Sequence, residues 1–288
     1  MKESEISSLI KEQKILSLSV NKDDLSKLFK ILANKSEEAG KLEIESWTKS
    51  EKQSDEDYND EINKVRNCFK LKLVIKEENG KALIGPMNVV LNSPDFPEKI
   101  KSVYAVCGND LKSICNLFPK NSFEIFLDFS KPRILDLSFL PSHDTPNESN
   151  VKITGLNTTW VHGVFGEVMN FIEERASKFS IVHKNSIYDI FLWVLGFPLA
   201  FWGCYKLSTP IESIGNNINE FFRNAVYVYA FLVTLFLFRI LFHYLRWVCP
   251  LVEYRAVGNS IIKHRAFLAT ILIGIVGAFI YDLIKTIF

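Results

Sequence analysis

Residues 187–207 read IYDIFLWVLGFPLAFWGCYKL. Coiled as a helix at about 1.5 Å per residue, this stretch reaches about 31 Å, the thickness of a bilayer's hydrocarbon core. Its only charges, Asp189 and Lys206, lie within a turn of its ends. Working outward, the chain changes character on either side. Residues 1–186 hold 26 Lys/Arg and 28 Asp/Glu, whereas residues 187–288 hold only 8 and 5. The expected organisation is an α+β cytosolic domain over 1–180, followed by an all-α transmembrane region over 187–288 with helices near 187–207, 225–245 and 266–286. The third run carries Asp282 and Lys285 in its last two turns, so a short span or a re-entrant segment fits it too.

Flanking Lys/Arg set the expected orientation. Arg175, Lys178 and Lys184 precede the first run, and Arg246, Arg255, Lys263 and Arg265 follow the second. On the far side of the first run stand only Lys206, in its last turn, and Arg223. The amino-terminal domain and the 243–265 loop are therefore expected on the cytoplasmic side of an inner or plasma membrane. The start, MKESEISSLIKEQK, shows no apolar signal core, which leaves the first span as the insertion signal.

Within the cytosolic part, alternation and turn residues mark an antiparallel sheet. Residues 14–20 read as a strand, and Asn21 with Asp24 forms a capping box for a helix carrying Leu25, Leu28, Phe29 and Leu32 and ending near Gly40. KLEIESWT is a further strand candidate, and the acidic stretch 48–66 reads as a solvated loop or surface helix. Residues 68–76 alternate clearly, and Asn79-Gly80 is a hairpin turn. Residues 102–107 and 123–129 are buried strands, 134–139 a returning partner, and VKITG a last strand. Asn157 or Thr158 then opens a helix over 158–180, whose face carries Val164, Phe165, Val168 and Ile172 with Trp160 beside it. This helix covers the sheet, couples it to the first span, or does both. Strands in hairpins between two helices favour α+β over a doubly wound fold.

Small residues recur at four-residue spacing in two spans: Gly196, Ala200 and Cys204 in the first, and Thr270, Gly274 and Ala278 with Gly277 in the third. Such stripes let helices approach closely, within the chain or between copies. Pro198 should kink or loosen the first helix. Asp189 and Arg239 each lie about one turn inside the cytoplasmic boundary and are candidates for an intramembrane ion pair.

Recognisable chemistry is sparse. No phosphate-binding loop, dinucleotide fingerprint, zinc-protease motif or nucleophile elbow occurs. The five cysteines show no metal spacing and read as buried free thiols. Glu124, Asp128 and Asp136 are the one candidate metal or acid/base cluster, although carboxylates on the wet face of a half-buried sheet give the same pattern. The balance of charge excludes nucleic acid as a partner. No cofactor and no catalysis are expected. The expected function is a multi-pass membrane protein whose cytosolic domain senses a small ligand or binds a protein partner, above helices that anchor and self-associate. A bilayer-perturbing effector, an architecture also used in bacterial antiviral defence, fits that outline. A small channel or transporter subunit is the alternative reading, and a membrane-tethered enzyme the third.

Overall fold

The computed structural model describes residues 8–51, 53–135, 142–184, 186–215, 219–256 and 260–287. They fall into two compact units. The first comprises 1–130, 147–177 and 251–257, and the second 131–146, 178–250 and 258–288. The first unit thus takes in a short segment from between two carboxy-terminal helices, and the second a loop that interrupts the sheet sequence.

The first unit opens with strand β1 (Leu9–Lys14) and strand β2 (Leu18–Val20). The strand expected over 14–20 is therefore split. LIKEQK is too polar to announce itself, because it is a sheet edge with little to bury. Helix α1 (Lys22–Ile44) starts where Asn21 and Asp24 cap each other, as the sequence implied. It does not stop at Gly40. A side chain there would meet the Phe69 Cβ at 2.9 Å, so this glycine permits a close packing contact rather than ending the helix. KLEIESWT consequently supplies the last turn of α1 and not a strand.

Helix α2 (Asp55–Cys68) occupies the acidic stretch, capped by Ser54. Strands β3 (Lys72–Glu77) and β4 (Ala82–Pro86) form the hairpin, with Gly80 at φ +91° in its turn. Short helix α3 (Met87–Leu91), strand β5 (Ile100–Cys107), short helix α4 (Asp110–Cys115), strand β6 (Asn121–Asp128), strand β7 (Asn150–Gly155) and helix α5 (Thr158–Glu174) follow. One antiparallel sheet results, in the order β1-β7-β6-β5-β3-β4. Both edges of β6 are taken, by β5 and β7, and most of the returning strand expected over 134–139 lies outside the described residues.

The sheet buries one face: Leu73 and Ile75, Val103 and Ala105, Phe123, Ile125 and Leu127, Val151 and Ile153. Packed in the same core are Leu25, Leu28, Phe29 and Leu32 of α1 and the α5 stripe. Lys35 of α1 bridges to Glu167 of α5 at 2.9 Å. Cys68 and Cys107 are buried free thiols, and burial pushes them up to about 11 and about 12 respectively, well above the reactive range.

A second, two-stranded sheet pairs β2 in parallel with strand β8 (Val252–Tyr254). These partners are more than 230 residues apart in sequence, and β8 is three residues long. Nothing in a local pattern announces such a pairing.

The second unit is helical. Helix α6 (Ile187–Phe191) passes through a π-helical turn (Leu192–Gly196) into helix α7 (Phe197–Gly215). The widened turn immediately precedes Pro198, which lacks the N–H that would donate to the carbonyl four residues back; the local loosening expected there takes this form. Helix α8 (Glu220–Val248) returns antiparallel to it, and helix α9 (Ser260–Ile287) ends the chain. Ile187–Ser213 and Glu220–Val248 are long and apolar enough to cross a membrane, and both are mostly exposed along their length. Trp193, Phe201, Trp202 and Tyr229 all point outward.

Candidate functional site

A junction within the first unit is built around β2 and joins the two segments that adjoin the hydrophobic helices in the chain. Successive residues of a strand direct their backbone groups to opposite edges, and β2 uses both. On one edge, Ser19 N–H donates to the Arg175 carbonyl at 2.9 Å, and the neighbouring Ser17 hydroxyl donates to the Ser177 carbonyl at 3.0 Å. On the other, Leu18 N–H donates to the Leu251 carbonyl at 3.0 Å, and Arg255 N–H to the Val20 carbonyl at 2.7 Å. Residues 175–177 lead towards the first hydrophobic helix, and residues 251–255 follow the second.

Asp24 ties the same segments through its side chain. It accepts from Arg175 Nε at 3.0 Å, from Arg255 Nη2 at 3.4 Å and from the Asn21 backbone N–H at 3.2 Å. Burial raises its pKa, but the Arg175 and Asn21 hydrogen bonds and the two guanidinium charges outweigh that and hold the carboxyl below its usual range. Read as sequence, Asp24 was only a capping residue, and Arg175 and Arg255 only flanking charges. Their convergence depends on the long-range β2–β8 pairing.

The α5 stripe is accounted for by the core. Trp160, Val164, Val168 and Ile172 are buried, and Phe165 packs partly buried against them. The helix ends at Glu174, before a 3₁₀ segment (Lys178–His183), and so stops short of the 158–180 expected for a coupling helix.

Glu124 and Asp128 lie on the opposite face of β6, four residues apart. At about 3.4 Å per residue they are about 14 Å apart, too far to coordinate one ion. Glu124 stands in register between Val106 and Lys152, and Lys152 in turn opposite Glu12. With burial, its charge pushes the Tyr104 phenol up. Asp128 accepts from Ser130 N–H at 2.9 Å. Asp136 lies outside the described residues, among which no group of His, Cys, Asp and Glu is arranged to hold a metal.

In the second unit, the first small-residue stripe faces α8. A Cβ on Gly196 would meet Phe238 at 3.2 Å, Ala200 is fully buried, and the Cys204 thiol donates to the Tyr227 carbonyl at 3.5 Å. Gly203, which the spacing rule passed over, faces Thr234. Thr270 is exposed, and Gly274 and Gly277 have nothing within 4 Å of where a side chain would begin. The side chain of Ala278 lies outside what is described. Asp189 accepts from the Ser142 hydroxyl at 2.8 Å. Its neighbour Tyr188 packs on Phe238 and Phe242, with ring centroids 6.2 and 5.1 Å apart, and Arg239 is next to Phe238 in the chain. Asp189 and Arg239 therefore stand at the same level of the helix pair.

Below them is a buried basic cluster. Arg246, fully buried, donates from Nε to the Val182 carbonyl at 3.3 Å and from Nη1 to the His143 carbonyl at 3.0 Å. His183 joins the Thr145 hydroxyl (2.7 Å) to the Cys249 carbonyl. Burial, reinforced by the Arg246 charge against the Cys249 hydrogen bond, brings His183 down to about 4, so it is neutral at physiological pH.

A separate cleft of about 680 Å³ opens on the first unit between α1, the end of α2 and the start of α3. Ala33, Ile44, Phe69, Leu71 and Met87 give it an apolar lining, with Lys41, Arg66 and Lys70 around it together with Glu37 and Glu45. No local sequence pattern marks it, since its walls come from three separate stretches of chain.

No family model, curated protein or solved structure matches the chain. Its function has to be read from its own residues.

Proposed function

We propose that the chain is an integral membrane protein in which a cytosolic ligand- or partner-binding head grips both ends of a helical membrane hairpin. The carrying observation is the double use of β2, which hydrogen-bonds the segment before the first hydrophobic helix and the segment after the second. Two crossings return the chain to its starting side. A strand added after them can complete the head only if both crossings are made, or neither. The long exposed apolar faces of α7 and α8 support both. The Lys/Arg pattern supports a cytoplasmic head, with α9 making a third crossing outward.

In this reading the junction carries a change in the head to the hairpin. A shift of α1 moves Asp24, and Asp24 holds Arg175 and Arg255 together. Helices α6 to α9 anchor the protein, and the open face of α9 at Gly274 and Gly277 is available for self-association. That face is also what favours the second reading, a channel subunit, since three helices enclose a pore only as an oligomer.

Alkaline extraction of membranes from expressing cells tests the anchor. The intact protein is expected in the pellet, and its release into the supernatant would overturn the proposal. Coupling is tested with Asp24→Asn, which should raise hydrogen exchange at 175–177 and 251–255 together. Exchange raised at only one of them would remove the shared grip.

A further inference from the structure

We infer that the cleft beside α1 binds a small organic monoanion with an apolar body. The inference rests on reading the first unit as a ligand-sensing head and gives that ligand a chemical class. At about 680 Å³ the cleft is in the range of pockets that enclose metabolite-sized molecules. Its depth is apolar: Phe69 and Leu71 are 2% and 4% exposed, and Phe69 sits tight on Gly40, leaving Ala33, Ile44 and Met87 as half-buried walls for an apolar body to rest on.

Charge around the cleft is arranged unevenly. Lys41 lies on α1 with Glu37 and Glu45 four residues to either side, so carboxylates on its own helix offset its field. Arg66 and Lys70, by contrast, stand at the end of α2. Arg66 donates only to the neutral Asn63 side chain, at 3.3 Å, and Lys70 makes no ion pair among the described residues. An acid group therefore has two uncompensated cations to meet at the α2 end, the arrangement that favours carboxylate recognition. The cations exceed the carboxylates around the cleft by one, so a single negative charge is neutralised and a second meets Glu37 and Glu45.

The test uses the full-length protein in phosphatidylcholine nanodiscs, titrated calorimetrically with 2-naphthoate against empty nanodiscs. Saturable binding at one per chain is expected, at least tenfold tighter than for neutral 2-naphthalenemethanol and tighter than for dianionic 2,6-naphthalenedicarboxylate. Arg66→Gln and Lys70→Gln should each weaken 2-naphthoate about fivefold or more, and Glu37→Gln should narrow the preference over the dianion. Ala33→Trp, which fills the cleft, should abolish binding. Should that variant lose its cooperative melt, the charge variants alone decide. Equal affinity for the neutral alcohol, tighter binding of the dianion, or insensitivity to both α2 cations would overturn the inference. A protein that ignores 2-naphthoate yet resists alkaline extraction loses this ligand class and keeps its membrane anchor.

Discussion

Helices α5 and α7 are of similar length and each carries several large aromatic residues, yet they solve opposite problems. In α5 the large apolar side chains share one face, and Trp160 ends up 6% exposed against the sheet. In α7 they surround the helix: Trp202 remains 59% exposed, Phe197 and Phe201 rest on Phe231 of α8, and Ala200, with Gly196 of the preceding turn, faces α8. An apolar stripe asks for a protein surface; an apolar cylinder asks for lipid. Large residues hold α5 against the sheet, whereas small ones set how closely α7 approaches α8.

The sharpest break of that contrast is a buried charge. Val164→Asp places a carboxylate in the fully enclosed core under α5, and the loss is expected to exceed about 4 kcal/mol. The head should then lose its cooperative unfolding and become protease-sensitive, while the protein remains in the alkaline pellet. Retention of a normal melt would mean that α5 does not cover the sheet.

Next in size is Arg246→Ala in the second unit, which removes two part-buried hydrogen bonds from a charged donor, to the Val182 and His143 carbonyls, at about 1.5–3 kcal/mol each. The expected result is a lower melting temperature of the helical unit with the head's melt unchanged. Smaller again, Gly196→Leu should force α7 off Phe238 at about 1–3 kcal/mol, whereas Gly274→Leu should leave the melt alone and alter only self-association, read by crosslinking. Equal effects at the two glycines would erase the distinction between the filled stripe and the open one.

Acid separates the regions more gently. The His183 pKa lies near 4 in the folded chain against about 6.5 when unfolded, so its neutral form stabilises the second unit above about 6.5. That contribution is lost as pH falls through the window between the two values, and His183→Gln should flatten it. Asp24 acts lower. Its folded pKa lies below the ordinary aspartate value of about 3.9, so its stabilisation is present at neutral pH and lost only as pH falls beneath that value. Thermal melts at pH 7, 5 and 3.5 on both variants check the order.

The comparison also explains what the sequence made legible. Asn21 with Asp24, Asn79-Gly80 and Asn157 speak through their immediate neighbours, and each sits where its chemistry requires. Alternation marked β3 and β6, because one face of each is buried, and an apolar run marked β5, which is buried along most of its length. The failures have the opposite cause. β1 is a polar edge, Gly40 serves a side chain 29 positions away, and β8 owes its conformation to β2 from more than 230 residues away. The junction at Asp24 and the cleft beside α1 are assembled from such distant stretches, so no single window contained them.

The most direct measurement labels single cysteines with a membrane-impermeant maleimide in intact cells, in a cysteine-free background. Glu148, Glu212 and Arg255 are all exposed and take the substitution in turn. If the head grips both ends of a membrane hairpin, position 212 labels in intact cells, and positions 148 and 255 label only after permeabilisation. Labelling of 148 and 255 from opposite sides, or of all three from the same side, would contradict it.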